Sequence, residues 1–364
     1  MGMRAQLVSV CFLIYCSMAS PADSTKIFPG KDWERIEKPE AAGYSSARLE
    51  ALRMWLKANH TTAMLVTVDG KVLFEYGDVK RVSKVASVRK SILAMLYGNY
   101  VVSGKVDLNK TVKQLGLEDV QPFVRFEEDA TLLDLLRARS GIYHLSGNEG
   151  LSSLSPRRGS QVAGTYFQYQ NWDFNAAGTA FERLTGKDIF NALESDLARP
   201  IGMQDFDRSK QRKNSSMPDS VHPEYAMYLS TRDTARLGLL MLRDGEWNGK
   251  QVMPKGWSSR ITTLVTRSED IHPLVLGLQT RPGRWGYGMM WWVWDAPDWP
   301  GMFMGGPYRG AYTAWGANGQ YITVLPVMDM VIAHKVDFDE DGSREVKVDE
   351  WAAILQMVIA SATN

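Results

Sequence analysis

Strand signals at both ends of this chain enclose a long helical middle, and that order limits the possible folds more than any other feature. Residues 63–76 hold two runs rich in β-branched and aromatic residues around Asp69-Gly70, which predicts a β-hairpin. Strand-like runs return near the end of the chain, at 286–294, 319–326 and 330–334. We therefore predict an α/β fold of the α+β sandwich type, with a mainly antiparallel sheet built from both chain ends and flanked by helices.

The middle of the chain is predicted to form an inserted, mainly helical domain. Helical patterns lie at 45–58, 131–136, 175–184, 189–197, 231–242 and 348–359. The polar, proline-containing segment 208–221 is predicted to be an exposed loop. These patterns divide the mature chain into a sheet domain, residues 23–86 plus 281–364, and a helical domain, residues 87–280. A cleft between two such domains is a natural place for a site.

The first 22 residues have the pattern of a secretory signal peptide. Arg4 precedes an apolar stretch from Leu7 to Tyr15, and small residues follow, so that cleavage after Ala19 or Ala22 is expected. The stretch is short for a membrane span, although an N-terminal anchor is the alternative. We expect a periplasmic or secreted protein with no stable membrane span once the signal peptide is removed.

Composition excludes several classes of function. The chain has 364 residues, a formal charge of +1 and 45% hydrophobic residues, which is ordinary for a soluble protein and gives no electrostatic basis for binding nucleic acid. Both cysteines, Cys11 and Cys16, lie inside the predicted signal peptide. The mature chain would therefore have no disulfide, thiolate metal site or cysteine nucleophile.

Ser87 and Lys90 form an S-x-x-K string at the start of a predicted helix. Side chains three residues apart share one helical face, so the hydroxyl and the amine can touch. A serine needs a base to become nucleophilic, and a lysine can be that base only if burial or nearby positive charge lowers its pKa. The string alone is weak, because an ordinary helix start with a solvated lysine has the same sequence. Arg89 would point away from this face, where it could bind anionic groups at a cleft rim.

Two further stretches carry candidate functional residues. Tyr169 and Asn171 lie two residues apart on a predicted turn; the phenol could relay a proton if Lys90 lowers its pKa, and the amide could hold the lysine and a substrate. The other interpretation is a capping turn before a helix. The run Trp315-Gly316-Ala317-Asn318 offers small residues and strand N–H groups to a substrate, or is simply a bulge or turn between strands.

Taken in this order, the three stretches resemble the serine β-lactamase and penicillin-binding superfamily, specifically its class C branch. Arg139-Ser140-Gly141, Pro200-Ile201-Gly202-Met203 and Gly316 to Pro326 are similar to that branch's "H-T-S-G", "P-L-G-M" and "G-G-Q-Y-x-x-x-x-P" stretches. The resemblance runs from about residue 45 to 360. It implies a β-lactamase/transpeptidase-like fold and an enzyme that is a β-lactamase-related serine hydrolase.

The resemblance also implies roles for individual residues. Ser87 would be the acylated nucleophile, Lys90 its partner in proton transfer, and Tyr169 the general base or relay. Asn171 would hold the lysine and the substrate amide. The oxyanion hole would be formed by the N–H of Ser87 and one N–H of the 316–318 stretch, from Ala317 or Asn318. The motifs require no metal or cofactor, and the expected partner is a small-molecule ester, amide or lactam.

One departure from the family pattern affects the expected substrate. In the β-lactamases and peptidases the third motif begins with a lysine or histidine, whereas Trp315-Gly316-Ala317 resembles the Trp-Gly-Gly version of esterase-like relatives. The chain is thus similar to esterase-like or 6-aminohexanoate-dimer-hydrolase-like members of the superfamily. A carboxylated β-lactam would lose one charge-assisted contact, worth about 1.5–3 kcal/mol. An ester or amide hydrolase is therefore expected, with a true class C-like β-lactamase, or a penicillin-binding sensor that acylates with little turnover, as the alternatives.

Other candidate residues have less support. The aromatic run could line an acyl pocket, although core packing is expected for most of its members: Trp285, Tyr287, Trp291, Trp292, Trp294 and Trp299. No histidine has metal-ligand spacing. His144, which follows the Ser140-Gly141 turn, is the histidine closest in sequence to a motif.

Overall fold

The computed structural model describes residues 26–124, 126–148, 152–276, 285–295, 306–338 and 344–363. The predicted signal peptide, both cysteines and Trp299 lie outside the described residues. The helices are α1 (Ser46–Ala58), α2 (Val88–Val102), α3 (Leu132–Leu136), α4 (Asn171–Thr185), α5 (Ile189–Ala192, continued by a π-helical turn Leu193–Ala198), α6 (Thr231–Leu242), α7 (Trp257–Ile261) and α8 (Val348–Ala360).

The strands are β1 (Ala63–Val68), β2 (Lys71–Gly77), β3 (Ser83–Lys84), β4 (Arg212–Ser216), β5 (Ser220–Ala226), β6 (Tyr228–Leu229), β7 (Glu246–Trp247), β8 (Lys250–Gln251), β9 (Trp285–Tyr287), β10 (Trp292–Trp294), β11 (Tyr312–Gly316), β12 (Gln320–Leu325) and β13 (Met330–Lys335). Short 3-10 turns lie at Pro39–Ala42, Ser152–Leu154, Arg208–Lys210, Ser268–Asp270 and Pro326–Met328.

A seven-stranded sheet joins the two ends of the chain. Its strand order is β2-β1-β13-β12-β11-β10-β9, and every neighbouring pair is antiparallel. The early hairpin meets the late strands through β1 and β13, which pair from Ala63↔Lys335 to Val68↔Met330. The predicted α/β fold, with a mainly antiparallel sheet built from both chain ends and flanked by helices, is confirmed. The division into domains at residues 86 and 280 stays a prediction.

Neighbouring residues of β12 show how helices cover both faces of this sheet. Tyr321 stacks on Trp351 of α8 with ring centroids 4.4 Å apart. The next residue, Ile322, points the other way and packs against Gly238 of α6, where an added Cβ would lie 2.9 Å from the isoleucine methyl. Side chains alternate between the faces of a strand, so α8 and α6 cover opposite faces. The glycine lets α6 approach the sheet closely.

The segment 286–294, predicted as one strand, forms two. β9 and β10 pair with each other, with Trp292 opposite Tyr287, and Met290 between them has a φ of +59°. The N–H of Gly288 bonds to the carbonyl of Trp291 at 2.9 Å, which closes the turn. The prediction of a single strand is wrong because an apolar run gives no warning of a reversal when the reversal itself is buried.

Two other predicted segments differ from the structure. The predicted exposed loop 208–221 contains β4 and the start of β5, which form a hairpin with Arg212 opposite Ala226. Polar residues on β4 conceal the strand periodicity. Helix α4 begins at Asn171 rather than Asn175. Among the helices of the described residues, none is long and apolar enough to cross a membrane.

Candidate active site

Ser87 lies at the N-terminus of α2, directly before its first helical residue. The Nζ atom of Lys90 is 3.0 Å from the Oγ atom of Ser87, as the three-residue spacing on one helical face predicts. Ala86, the residue before the serine, has a φ of +46°, which is unusual for a residue with a Cβ. Strain of this kind persists only where the surrounding structure enforces it, and it is concentrated at functional sites.

Lys90 is buried, with 1% of its surface exposed. Burial lowers the pKa of its amine well below the ordinary value, the positive charge of Arg89 lowers it further, and Glu224 acts in the opposite direction. A lowered pKa favours the neutral form of a lysine, in which the nitrogen carries a lone pair. The Lys90 amine therefore has a lone pair available to accept the Ser87 proton.

Tyr169 and Asn171 reach the same amine from the start of α4. Lys90 Nζ is 2.8 Å from the Tyr169 hydroxyl and 2.7 Å from Asn171 Oδ1. The backbone N–H of Tyr169 is fixed by a 2.9 Å bond to the carbonyl of His272. Both interpretations of this stretch therefore hold. Its residues lead into helix α4, and they also contact Lys90.

The pKa of Tyr169 differs from the sequence hypothesis. Burial raises this pKa to about 12, against the smaller lowering effects of a hydrogen bond with Ser87 and the charge of Arg89. The hypothesis that Lys90 lowers this pKa is wrong, because burial outweighs the lowering effects, which come from Ser87 and Arg89. The phenol is therefore protonated near pH 7, which suits a proton relay better than a base.

The 315–318 stretch ends β11 and turns into β12 beside Ser87. A Cβ added to Gly316 would lie 3.0 Å from the Ser87 nitrogen and 2.6 Å from the Val85 carbonyl oxygen, so only glycine fits between them. Trp315, Ala317 and Asn318 line the same cleft as Ser87. Asn318 has a φ of +65°, typical of a hairpin turn. This stretch is thus both the turn and the cleft wall that the sequence offered as alternatives.

The cleft has a volume of about 590 Å³ and largely aromatic and aliphatic walls. Trp292, Trp315, Leu276 and Phe338 contribute apolar surface near Ser87 and Tyr169. Of the aromatic run from Trp285 to Trp294, only Trp292 lines the cleft, and the other described members are core residues, as expected for most of them. Charged side chains also border it: Lys84, Glu224, Glu345, Lys347 and Asp349.

His144 lies in a buried charge cluster rather than in the cleft lining. Its ring nitrogens are 3.6 Å from Asp119 Oδ2 and 3.4 Å from Glu127 Oε2. Burial alone would lower the pKa of His144, but hydrogen bonds to the two carboxylates outweigh that effect and raise it. Within the part of the chain that the structure describes, no three His, Cys, Asp or Glu side chains are grouped to hold a metal ion.

Most of the chain matches a known protein family. The family model described as "Beta-lactamase" matches residues 47–336, which is most of the chain. The chain belongs to the β-lactamase family. The predicted membership in the serine β-lactamase and penicillin-binding superfamily is thereby confirmed, and relatives with this fold are serine hydrolases.

Solved structures similar to this β-lactamase-family chain carry several different activities in their names. A Bacillus anthracis protein assigned as a 6-aminohexanoate-dimer hydrolase has a TM-score of 0.65 and 17% identity, covering 92% of this chain and 87% of its own. A class C β-lactamase variant has a TM-score of 0.63 and 18% identity over 90% and 99% of the two chains. A family VIII carboxylesterase has a TM-score of 0.61 and 13% identity, covering 86% of this chain and 97% of its own. No curated protein sequence matches the chain.

Three residues of this β-lactamase-family site were not singled out from the sequence: Asn148, Asn175 and Glu224. Asn175 lies one helical turn after Asn171, so the shared face of α4 was a usable signal. Asn148 and Glu224 had no such signal. Arg89, expected at the cleft rim, is instead buried, with 1% of its surface exposed; that expectation is wrong because Glu224 and Asn175 provide partners inside the protein.

Proposed function

We propose that this protein is a serine hydrolase that cleaves an ester or an amide through an acyl-enzyme on Ser87. The single observation that carries the proposal is the meeting of three groups at the Lys90 amine. Ser87, Tyr169 and Asn171 all lie within 3.0 Å of its nitrogen, although the last two are 79 and 81 residues away in sequence. A buried neutral amine held against a serine hydroxyl is the arrangement that activates a serine nucleophile.

The proposed reaction has two halves. In the first, Lys90 accepts the Ser87 proton while Oγ forms a bond to the substrate carbonyl carbon; the carbon–leaving-group bond then breaks, and the alcohol or amine leaves with a proton delivered through Tyr169. In the second, water gives up a proton to the same groups and attacks the acyl carbon. The bond between that carbon and Ser87 Oγ then breaks, the acid is released, and the Lys90 and Tyr169 groups return the proton to Ser87. Both tetrahedral intermediates would place their oxyanion between the N–H of Ser87 and that of Ala317 or Asn318.

The charge and shape of the cleft favour an uncharged acyl group. Trp315 stands at the place where the β-lactamases and peptidases carry a cation, and its ring packs against Trp292 with centroids 5.0 Å apart. Two lysines among the described residues line the cleft. Lys84 is already paired with Glu224 at 3.3 Å, and Lys347 is accompanied in the lining by the acidic residues Glu345 and Asp349. An apolar ester or amide therefore fits this wall better than a carboxylated lactam, which would lack a dedicated partner.

We further propose that the protein acts outside the cytoplasm, as the signal-peptide pattern of residues 1–22 suggests. Its partner would be a small molecule rather than nucleic acid, since a formal charge of +1 gives no electrostatic basis for binding nucleic acid. Expression of the full chain in a bacterium, followed by mass spectrometry of the N-terminus, tests the location. A chain that begins after Ala19 or Ala22 supports it, and a chain that retains residues 1–22 contradicts it.

Covalent labelling tests the proposed chemistry. A fluorophosphonate probe should label the wild type at Ser87 and should not label Ser87→Ala. Ser91→Ala is the matched control, because Ser91 lies one turn along the same helix and its hydroxyl donates to the Met290 carbonyl at 2.6 Å. Labelling that survives in Ser87→Ala, or that is absent from the folded wild type, would refute the proposal.

A substrate panel then separates the types of hydrolase. Nitrophenyl esters of graded chain length, D-amino-acid amides and a chromogenic cephalosporin cover the ester, amide and lactam classes. We expect turnover of neutral esters or amides to exceed that of the cephalosporin. A stoichiometric burst with no turnover would instead indicate a penicillin-binding sensor.

A further inference from the structure

A buried ion pair lies beside the proposed catalytic lysine. Arg89 Nε is 3.6 Å from Glu224 Oε1, with side-chain exposures of 1% and 6%. The guanidinium also lies 4.3 Å from the centre of the Tyr225 ring. Burying two charges is costly, and such a pair is often no more stabilising than apolar residues of similar size. Its place next to Lys90 therefore suggests a role other than stability.

A chain of hydrogen bonds leads from Arg89 back to Lys90. Arg89 Nη2 donates to Asn175 Oδ1 at 2.9 Å, and Asn175 Nδ2 donates to Asn148 Oδ1 at 2.8 Å. The backbone carbonyl of Asn148 accepts from Asn171 Nδ2 at 2.8 Å. Asn171 Oδ1 then holds the Lys90 amine at 2.7 Å. Asn171 and Asn175 each use both the donor and the acceptor end of the side-chain amide, and Asn148 joins them by accepting at its side-chain oxygen and at its backbone carbonyl. The orientations of Asn171 and Asn175 are therefore determined by the lysine and the arginine at the two ends of the chain.

We propose that Arg89, held by Glu224, is a positioning residue that keeps the Lys90 amine directed at Ser87 through Asn175, Asn148 and Asn171. The inference rests on the proposed function, because it assigns the pair to the same reaction. Arg89 does not line the cleft and would not touch the substrate. It acts on Lys90 in two ways: the amide chain fixes where the amine lies, and the buried positive charge disfavours protonation of that amine.

Several other ionisable groups lie around this corner. Those linked to Lys90 or to its neighbours by charge or hydrogen bonds are Tyr169 and Asp173 at the start of α4, Glu224 and Tyr225 on β5, Lys84 on β3 and Tyr287 on β9. Burial raises the pKa values of the three tyrosines, which are therefore neutral near pH 7, and burial also raises the pKa of Asp173, which disfavours its charged form. The charges that remain next to Lys90 are Arg89, Glu224 and the Lys84 partner of Glu224.

The two members of the pair give opposite expectations. Arg89→Gln removes a positive charge, so Lys90 should bind its proton more readily and titrate at higher pH. Glu224→Gln removes a negative charge, so Lys90 should titrate at lower pH. Each substitution should move the titration midpoint of Lys90 by about one pH unit. A pair that served only to stabilise the fold would not shift the two variants in opposite directions.

The experiment measures Lys90 directly and then the reaction. NMR of protein labelled with ¹³C at lysine Cε, with Lys90→Met to assign the signal, gives the titration midpoint without any need for catalysis. The rate of fluorophosphonate labelling, measured as a function of pH, then gives the pH range over which the rate rises and the constant rate, or plateau, above that range. Asn175→Ala breaks the chain of amide hydrogen bonds and keeps every charge. Its labelling rate at the pH plateau should therefore fall about ten- to a hundredfold, while the pH at which the rate rises should change little. Arg232→Gln is the control, since the Arg232–Asp205 pair lines no part of the described cleft.

The outcomes separate this inference from the proposed function. Midpoints that move in opposite directions, with a lowered plateau in Asn175→Ala, support the positioning role. Unchanged midpoints in both charge variants overturn it even if Ser87 is labelled normally. Shifted midpoints in a protein that the probe never labels support the inference about Lys90 and refute the hydrolase proposal. If Arg89→Gln does not fold, Glu224→Gln and Asn175→Ala carry the test, and a Glu224→Gln midpoint that fails to fall, or an Asn175→Ala plateau equal to that of the wild type, overturns it.

Discussion

The amine of Lys90 donates to the hydroxyl of Tyr169 at 2.8 Å, joining two residues that are 79 positions apart. The ring of Tyr169 also lies over this amine, 4.3 Å from its nitrogen. Helix α2 supplies the lysine and the start of α4 supplies the tyrosine, so the contact exists only when these two helices are packed. This contact makes Lys90 the centre of the candidate site.

Lys90→Met should reduce kcat/KM by about 10²–10⁴-fold, because the variant loses the group that accepts the Ser87 proton. Lys90→Arg should lose as much, since a guanidinium stays protonated. In the wild type the rate should rise as the pH passes through the lowered pKa of Lys90, well below the usual lysine range. Steady-state kinetics from pH 5 to 9 measure this; a methionine variant with wild-type kcat/KM would contradict it.

Tyr169→Phe removes the relay and keeps the aromatic packing, since the ring lies 5.1 Å from Phe174 and 5.5 Å from Trp292. We expect kcat to fall by about 10²-fold or more while the thermal midpoint changes little. Stopped-flow burst kinetics show whether acylation or deacylation is slowed. Unchanged rates for both steps would exclude the phenol from proton transfer.

Gly316→Ala should reduce activity by about 10²-fold, because the new methyl group would displace the Ser87 backbone or β11 and so distort the proposed oxyanion hole. Gly30→Ala is a matched control, as a Cβ at that position has nothing within 4 Å. Rates for both variants with the best nitrophenyl ester provide the comparison. Equal activity in Gly316→Ala and the wild type would argue against an oxyanion hole here.

Trp315→Lys places a cation where the β-lactamases and peptidases have one. The ratio of kcat/KM for a carboxylated cephalosporin to that for a neutral ester should rise about 10- to 100-fold, as a contact worth about 1.5–3 kcal/mol predicts. Trp315→Met, which removes the ring without adding charge, is the control. A ratio that rises equally in both variants would show that space, rather than charge, limits lactam turnover.

His144→Gln should destabilise the protein most in mildly acidic solution. Burial alone would raise the pKa of Glu127, but its hydrogen bonds lower it from 4.5 to about 2, so the stability it contributes is present above pH 4.5 and is lost as the pH falls through about 2. The pKa of His144 is raised from 6.5, so its contribution is present below pH 6.5 and is lost as the pH rises through the higher folded value. Both contributions are complete between about pH 4.5 and 6.5.

In that window the substitution should cost about 3 kcal/mol, because it removes the cation that Asp119 and Glu127 share, although Glu127 keeps its pair with Arg158. Urea unfolding at pH 5.5 and pH 9 gives the difference, which should be smaller at pH 9. His60→Gln changes an exposed histidine and should have little effect at either pH. An equal cost for His144→Gln at both pH values would show that the charge of the histidine does not contribute.

Local patterns were enough for the hairpin of β1 and β2 and for the Ser87–Lys90 contact. The Asp69-Gly70 turn signal and the three-residue helical spacing act over a few residues, so the sequence states them directly. Membership in the β-lactamase family also follows from the sequence, because the motifs keep their order along the chain. The break within 286–294 could not be predicted, since buried strands and buried turns have the same apolar composition.

Tertiary structure alone decided the electrostatics of the site. The lowered pKa of Lys90 comes from burial and from Arg89, the raised pKa of Tyr169 comes from burial, and neither can be read from neighbouring residues. Glu224, which pairs with Arg89, comes from a hairpin more than 100 residues away, and the first strand of that hairpin lies in the segment 208–221 that the sequence presented as an exposed loop. The sequence by itself determined which groups are present and which lie on one helical turn. Packing determined which of them leave water, and loss of water is what changes their chemistry.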